Sequence, residues 1–91
     1  MNVVFADAAR EDLRDVMRYI APHDLTAAFG VVDDINNFCT GLLSKHPMIG
    51  KPLQDGVRVS YKRGYRIYHK VSEDEINILR IIHMARDDYE V

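Results

Sequence analysis

The sequence predicts an α+β fold: an N-terminal strand, then a helical hairpin packed on an antiparallel β-sheet, β-α-α-β-β-β. Two observations predict it. Apolar residues recur every three or four positions from residue 7 to residue 42 and alternate singly after residue 57. The period changes across a stretch rich in Pro and Gly, so the helices come together first and the strands after them. Helices segregated in this way lie on one side of the sheet, in two layers.

Each element has its own signal. Asn2–Phe5 (NVVF) is a β-branched and aromatic run that suits a strand. Asp7 stands where a carboxylate can cap the helix that follows, whose apolar positions are Ala9, Leu13, Val16, Met17 and Ile20. Glu11, Asp12 and Asp15 are expected on its solvated face, pairing with arginines one turn away. Pro22 disfavours a helical Ala21 and ends it. Asp24 caps a second helix with apolar Ala28, Val31, Val32, Ile35, Phe38, Cys39 and Leu42, closed by Pro47. Gly30 and Gly41 inside it point to close packing against the first helix.

Leu43 to Gly56 reads as irregular. Val57, Val59 and Tyr61 then alternate with Arg58, Ser60 and Lys62, and Arg63-Gly64 makes a tight turn. Tyr65, Ile67, His69 and Val71 alternate with Arg66, Tyr68 and Lys70. A polar bend leads to the last strand, Ile76–Met84, where Ile76, Ile78, Ile82 and Met84 are expected on one face, interrupted by Arg80, and Leu79 and Ile81 on the other. Two helices cover one face only, so the remaining apolar row is expected to await a partner.

Length and composition bound the function. The 91 residues suit one domain, 1–91. Cys39 is the only cysteine, so no disulfide forms within the chain, and its place on an apolar face marks a buried thiol rather than a nucleophile. The four histidines do not fall at metal-ligand spacing, and no phosphate or dinucleotide motif occurs, so neither metal nor cofactor is expected. No apolar run approaches the ~20 residues of a membrane span, and the N-terminus lacks the apolar core of a signal peptide. A cytoplasmic protein with no membrane partner is the expectation.

The net charge of −2 hides an asymmetry. Residues 1–44 carry three Arg against seven acids and residues 72–91 two Arg against six, whereas residues 45–71 carry seven Lys or Arg against Asp55 alone. A chain with pI near 6.0 is not expected to bind nucleic acid directly, because phosphate neutralisation requires a basic balance. The basic stretch does suggest a cluster on the strand layer, Arg58, Lys62, Arg66 and Lys70 with Tyr68, followed by His83, Arg86 and Tyr89. Arg and Lys can stabilise a phosphoryl transition state and His or Tyr can move a proton, the chemistry of metal-free RNA cleavage.

Read end to end, the chain resembles the RelE/ParE toxin superfamily of toxin–antitoxin modules, and the ParE branch within it. The resemblance rests on AREDLRDVMRYIA (9–21), Ala27-Ala28, LSKHPMIGKP (43–52), Val57-Arg58, GYRIY (64–68) and INILRIIHMAR (76–86), in this order. It implies a helical hairpin on an antiparallel sheet and a toxin that is neutralised by a cognate antitoxin in a hetero-oligomer. ParE-type members poison DNA gyrase; RelE-type members are ribosome-dependent mRNA endonucleases. Under the endonuclease reading the resemblance assigns catalysis to Arg66 and Arg86, with Lys51, His83 and Tyr89 as further candidates. Only Lys51 answers the RelE-type lysine pair, and Tyr89 falls early for the terminal tyrosine. Under the ParE reading, Arg58, Lys62, Arg66, Tyr68, Ile78, Ile82, His83 and Arg86 are expected to bind target or antitoxin, the latter through an acidic, disordered C-terminal segment. An inactive antitoxin-binding homologue is the third alternative.

Overall fold

A computed structural model of the chain describes residues 1–85. Strand β1 (Asn2–Phe5) leads into helix α1 (Asp7–Ile20) and helix α2 (Leu25–Asn37), which continues as a π-helical turn over Phe38–Leu43. Strands β2 (Lys51–Pro52), β3 (Val57–Lys62), β4 (Tyr65–Ser72) and β5 (Glu75–His83) follow. The sheet order is β1-β5-β4-β3-β2, antiparallel except where β1 runs parallel to β5. The expected α+β order is present, with β2 added in the segment read as irregular.

The helical hairpin covers one face of this sheet. Ala9 and Val16 of α1, Val31 and Ile35 of α2, and Cys39 and Leu43 beyond it pack on Tyr65, Ile67, Ile76, Ile78 and Ile81. Burial pushes the Cys39 thiol up to about 12, so it stays a protonated packing group. Asp24 caps α2 as its sequence position suggests, its Oδ1 accepting from the Ala27 N–H at 3.0 Å. Asp7 does not cap α1: Ala6 holds the cap position without a side-chain bond, and Asp7 lies inside the first turn, where a negative charge suits the helix dipole. A Cβ placed on Gly30 or Gly41 would meet nothing within 4 Å, so close helix packing does not account for either glycine.

Two departures from simple alternation decide what each face displays. The Arg63-Gly64 turn pairs Lys62 with Tyr65, so every paired β3–β4 couple joins an odd to an even position. Val57 and Val59 therefore share the helix-free face with Tyr68, while Arg58 and Lys62 project to the helix side beside His69 and Tyr65. On β5, His69 pairs with Ile78 but Tyr68 with Arg80, leaving Leu79 as the extra residue of a bulge. Ile78 consequently faces the helices and Ile82 the opposite side, where it joins Val57, Val59 and Tyr68 in a second cluster flanked by Leu53 and Leu79. The exposed row expected from Ile76 to Met84 does not exist.

The fold closes its edges with polar contacts. Pairing of β1 with β5 stops at Ile78, and the next β5 amide on that side, Ile81 N–H, donates to Asp12 Oδ2 of α1 at 2.8 Å. The same carboxylate accepts from Arg80 Nε at 2.8 Å and Nη2 at 3.0 Å. Asp12 is thus buried under the sheet edge, not on the solvated face expected of it. Glu11, Arg14, Asp15 and Arg18 do form that face, through pairs of 2.5–3.0 Å.

Candidate functional site

The residues singled out from the sequence gather around the free end of the β4–β5 hairpin. Arg66 sits opposite Ile82, and Tyr65 opposite His83, whose rings meet edge to face at 5.1 Å. The Arg66 side chain leaves the helix-free face and that of His83 the helix side, yet both close on the turn that follows β5. Arg66 Nη2 donates to the Met84 carbonyl at 2.8 Å, and His83 Nδ1 accepts from the Ala85 N–H at 3.1 Å. Met84 N–H also donates to the Gly64 carbonyl at 2.8 Å. With Nδ1 accepting, the neutral His83 ring carries its proton on Nε2. These bonds fasten the turn from which the chain runs to Arg86; Arg86 and Tyr89 themselves lie outside the described residues.

The basic cluster does not form as one row. Lys51 pairs with Val59 and Val59 with Tyr68, so Lys51, Arg66 and Lys70 share the helix-free face. Arg58 and Lys62 lie on the other, and Arg58 Nη1 donates to the Gly50 carbonyl at 2.9 Å, which makes it a tie for the loop ahead of β2. Three further candidates are buried: Tyr68 at 5%, Ile82 at 3% and Ile78 at 0% relative exposure. The hairpin parity explains the first separation and the Leu79 bulge the last.

Two polar residues escaped the sequence reading. Asp12 was hidden because it follows Glu11 in a charged run, although its spacing from Ala9 and Val16 places it on the apolar stripe. His69 is fully buried, with Nε2 donating to the Pro47 carbonyl at 2.8 Å and Nδ1 without a partner among the described residues. Burial holds its pKa below the ordinary 6.5, the Pro47 bond opposes this, and the Arg58 charge adds to the lowering. The native state therefore binds fewer protons than the unfolded chain just below pH 6.5. Stability is kept above that value and lost as pH falls towards the lowered native one. Thermal melts between pH 7.5 and pH 5.5 should show this slope, and His69→Gln, which retains a donor for Pro47, should flatten it.

Among the described residues no cluster of His, Cys, Asp or Glu is suited to hold a metal ion, and no helix is long and apolar enough to cross a membrane. A cleft of about 530 Å³ opens between the C-terminal half of α1 and the end of β5. Its walls are Val16 and Tyr19 on one side and Tyr65, Ile81 and His83 on the other. Burial and the neighbouring Tyr19 raise the Tyr65 pKa, which keeps the phenol protonated.

Comparisons with known proteins agree with this architecture. The chromosomal ParDE toxin–antitoxin system from P. aeruginosa contains a chain that superposes with a TM-score of 0.76 at 26% identity, covering 91% of this chain and 95% of that one. A chain of the RelBE2 toxin–antitoxin complex from Mycobacterium tuberculosis superposes with a TM-score of 0.65 at 28% identity, covering 90% of this chain and 95% of that one. No curated protein matches the sequence. The family model described as the ParE toxin of the type II toxin–antitoxin system, parDE, matches residues 3–88. The chain, with its helical hairpin on a five-stranded sheet, belongs to the ParE toxin family of type II toxin–antitoxin systems.

Proposed function

We propose that this toxin acts by binding DNA gyrase and stalling it during DNA cleavage, and that a cognate antitoxin with an acidic, disordered C-terminal segment holds it inactive in a hetero-oligomer. The ParE family match over residues 3–88 carries the reading, since the resemblance of the sequence to ParE-type toxins implies gyrase as target. Two features of the site support it. The net charge is −2, and the side chains of Arg66 and His83 are both engaged in fastening the Met84–Ala85 turn. A chain that must reach ribosomal RNA gains from a strongly positive surface.

The endonuclease reading draws on one specific observation, that Lys51 and Arg66 share the helix-free face. Induced expression without antitoxin separates the two. The expected result is growth arrest with filamentation, together with inhibition of supercoiling by purified gyrase. Arrest with translation loss and ribosome-dependent mRNA cleavage, abolished by Arg66→Ala, would replace this reading by the other. Unhindered growth would leave only an antitoxin-binding homologue.

A further inference from the structure

The helix-free face of the sheet is buried more deeply than the elements around it explain. Val57, Val59, Tyr68 and Ile82 lie on it with at most 6% of their surface in water, yet no residue of either helix packs on them. Leu53 and Leu79 are their apolar neighbours among the described residues, and both are only half-buried. A tyrosine on an uncovered strand face keeps much of its ring wet, as Tyr61 does opposite Arg66 on this same face at 54% exposure. Lys51, Arg66 and Lys70 stand around the cluster, and among the described residues neither lysine has an acidic partner.

The chain itself can supply the cover. Residues 86–91 (RDDYEV) follow the Met84–Ala85 turn, whose Met84 carbonyl is held by Arg66 from the helix-free side. Six residues reach about 20 Å when extended, and β5 lies two strand spacings, about 10 Å, from β3. The other route from the turn, the α1–β5 cleft, is walled by the carboxylates of Asp12 and Asp15, each already paired with an arginine. Three acids in six residues, Asp87, Asp88 and Glu90, are repelled there and attracted to the lysines of the helix-free face. We propose that residues 86–91 lie across this face, Tyr89 over Tyr68 and Ile82 and the three acids beside Lys51, Arg66 and Lys70, and so shut it against polyanions such as nucleic acid. The cap stands whichever target the toxin takes, and it reconciles a strongly basic stretch over residues 45–71 with a chain that is acidic overall.

Two measurements on the full chain test this. Cys39 is buried and stays protonated, so a nitroxide label goes to Val91→Cys alone. Its paramagnetic broadening should be strongest at the Val59 and Tyr68 amides; strongest broadening at Val16 and Tyr19 of the cleft, or none above the average, overturns the placement. Shielding is read with heparin, a linear polyanion. Asp87→Asn with Asp88→Asn should tighten heparin binding by about tenfold or more at low salt, because the freed lysines join the contact. Asp7→Asn with Asp33→Asn, the same change of net charge at exposed helix positions, should tighten it by less than about threefold. Adding Lys51→Ala and Lys70→Ala to the first variant should return it to the affinity of the unaltered chain. Equal tightening in the two charge variants, or no reversal by the lysine changes, overturns the cap. Unchanged melting temperatures show that each variant is folded.

Discussion

Asp12→Ala should destabilise the fold by about 3–5 kcal/mol, the range for removing one partner of a buried ion pair. The carboxylate accepts three hydrogen bonds at 2.8–3.0 Å, from Arg80 Nε, Arg80 Nη2 and the Ile81 backbone. Its loss leaves Ile81 N–H under α1 without an acceptor and takes the carboxylate from a half-buried guanidinium. In a domain of this length each kcal/mol lowers the melting temperature by about 4–8 °C, so a drop of about 12–40 °C is expected. Asp12→Asn should fall between, because the amide oxygen can still accept from Ile81 while the charge is gone. Replacing both partners with apolar residues, Asp12→Leu with Arg80→Met, should recover much of the loss. A shift of less than about 1 kcal/mol in Asp12→Ala, by denaturant titration, would show that the edge is held by other means.

Asp12 also shows where sequence reading stops. The helical period of α1 and α2 and the alternation of β3 and β4 come from which positions must leave water, and the structure has both. Which face of the sheet each strand presents depends instead on pairing. The turn at Arg63-Gly64 was legible, and its two-residue length already implies that Arg58 and Arg66 diverge; counting every second residue through the turn conceals this. The Leu79 bulge was not legible, because an extra residue inside an apolar run leaves no mark in the pattern; that is why Ile78 and Ile82 seemed to share a row. Arg80 within that run was the available hint, since a cation there calls for a buried anion and Asp12 sits on the facing stripe. His69 gave less: it fits the alternation of β4, and only the fold brings the Pro47 carbonyl to it.

The same carbonyl-rich loop carries the second large effect. Gly50→Ala should cost about 2–4 kcal/mol, from a backbone that an L side chain rarely adopts together with a close approach to β3. Gly50 has φ +94°, and a Cβ there would lie 2.7 Å from the Val59 carbonyl oxygen and 2.7 Å from Ser60 Oγ. The hydroxyl can turn away, but the carbonyl belongs to the strand that pairs with β2, so relief requires the two strands to separate. Separation is resisted from the helix side, where Arg58 holds the Gly50 carbonyl and His69 holds that of Pro47. The strain therefore has two outlets, loss of stability or release of β2 with Lys51. Hydrogen exchange at Lys51 and Val59 distinguishes them: faster exchange with a small change in melting temperature means release. If Lys51 contributes to the action of the toxin, that outcome lowers toxicity in a protein that remains folded, whereas a gyrase-binding surface confined to the β4–β5 end leaves toxicity untouched.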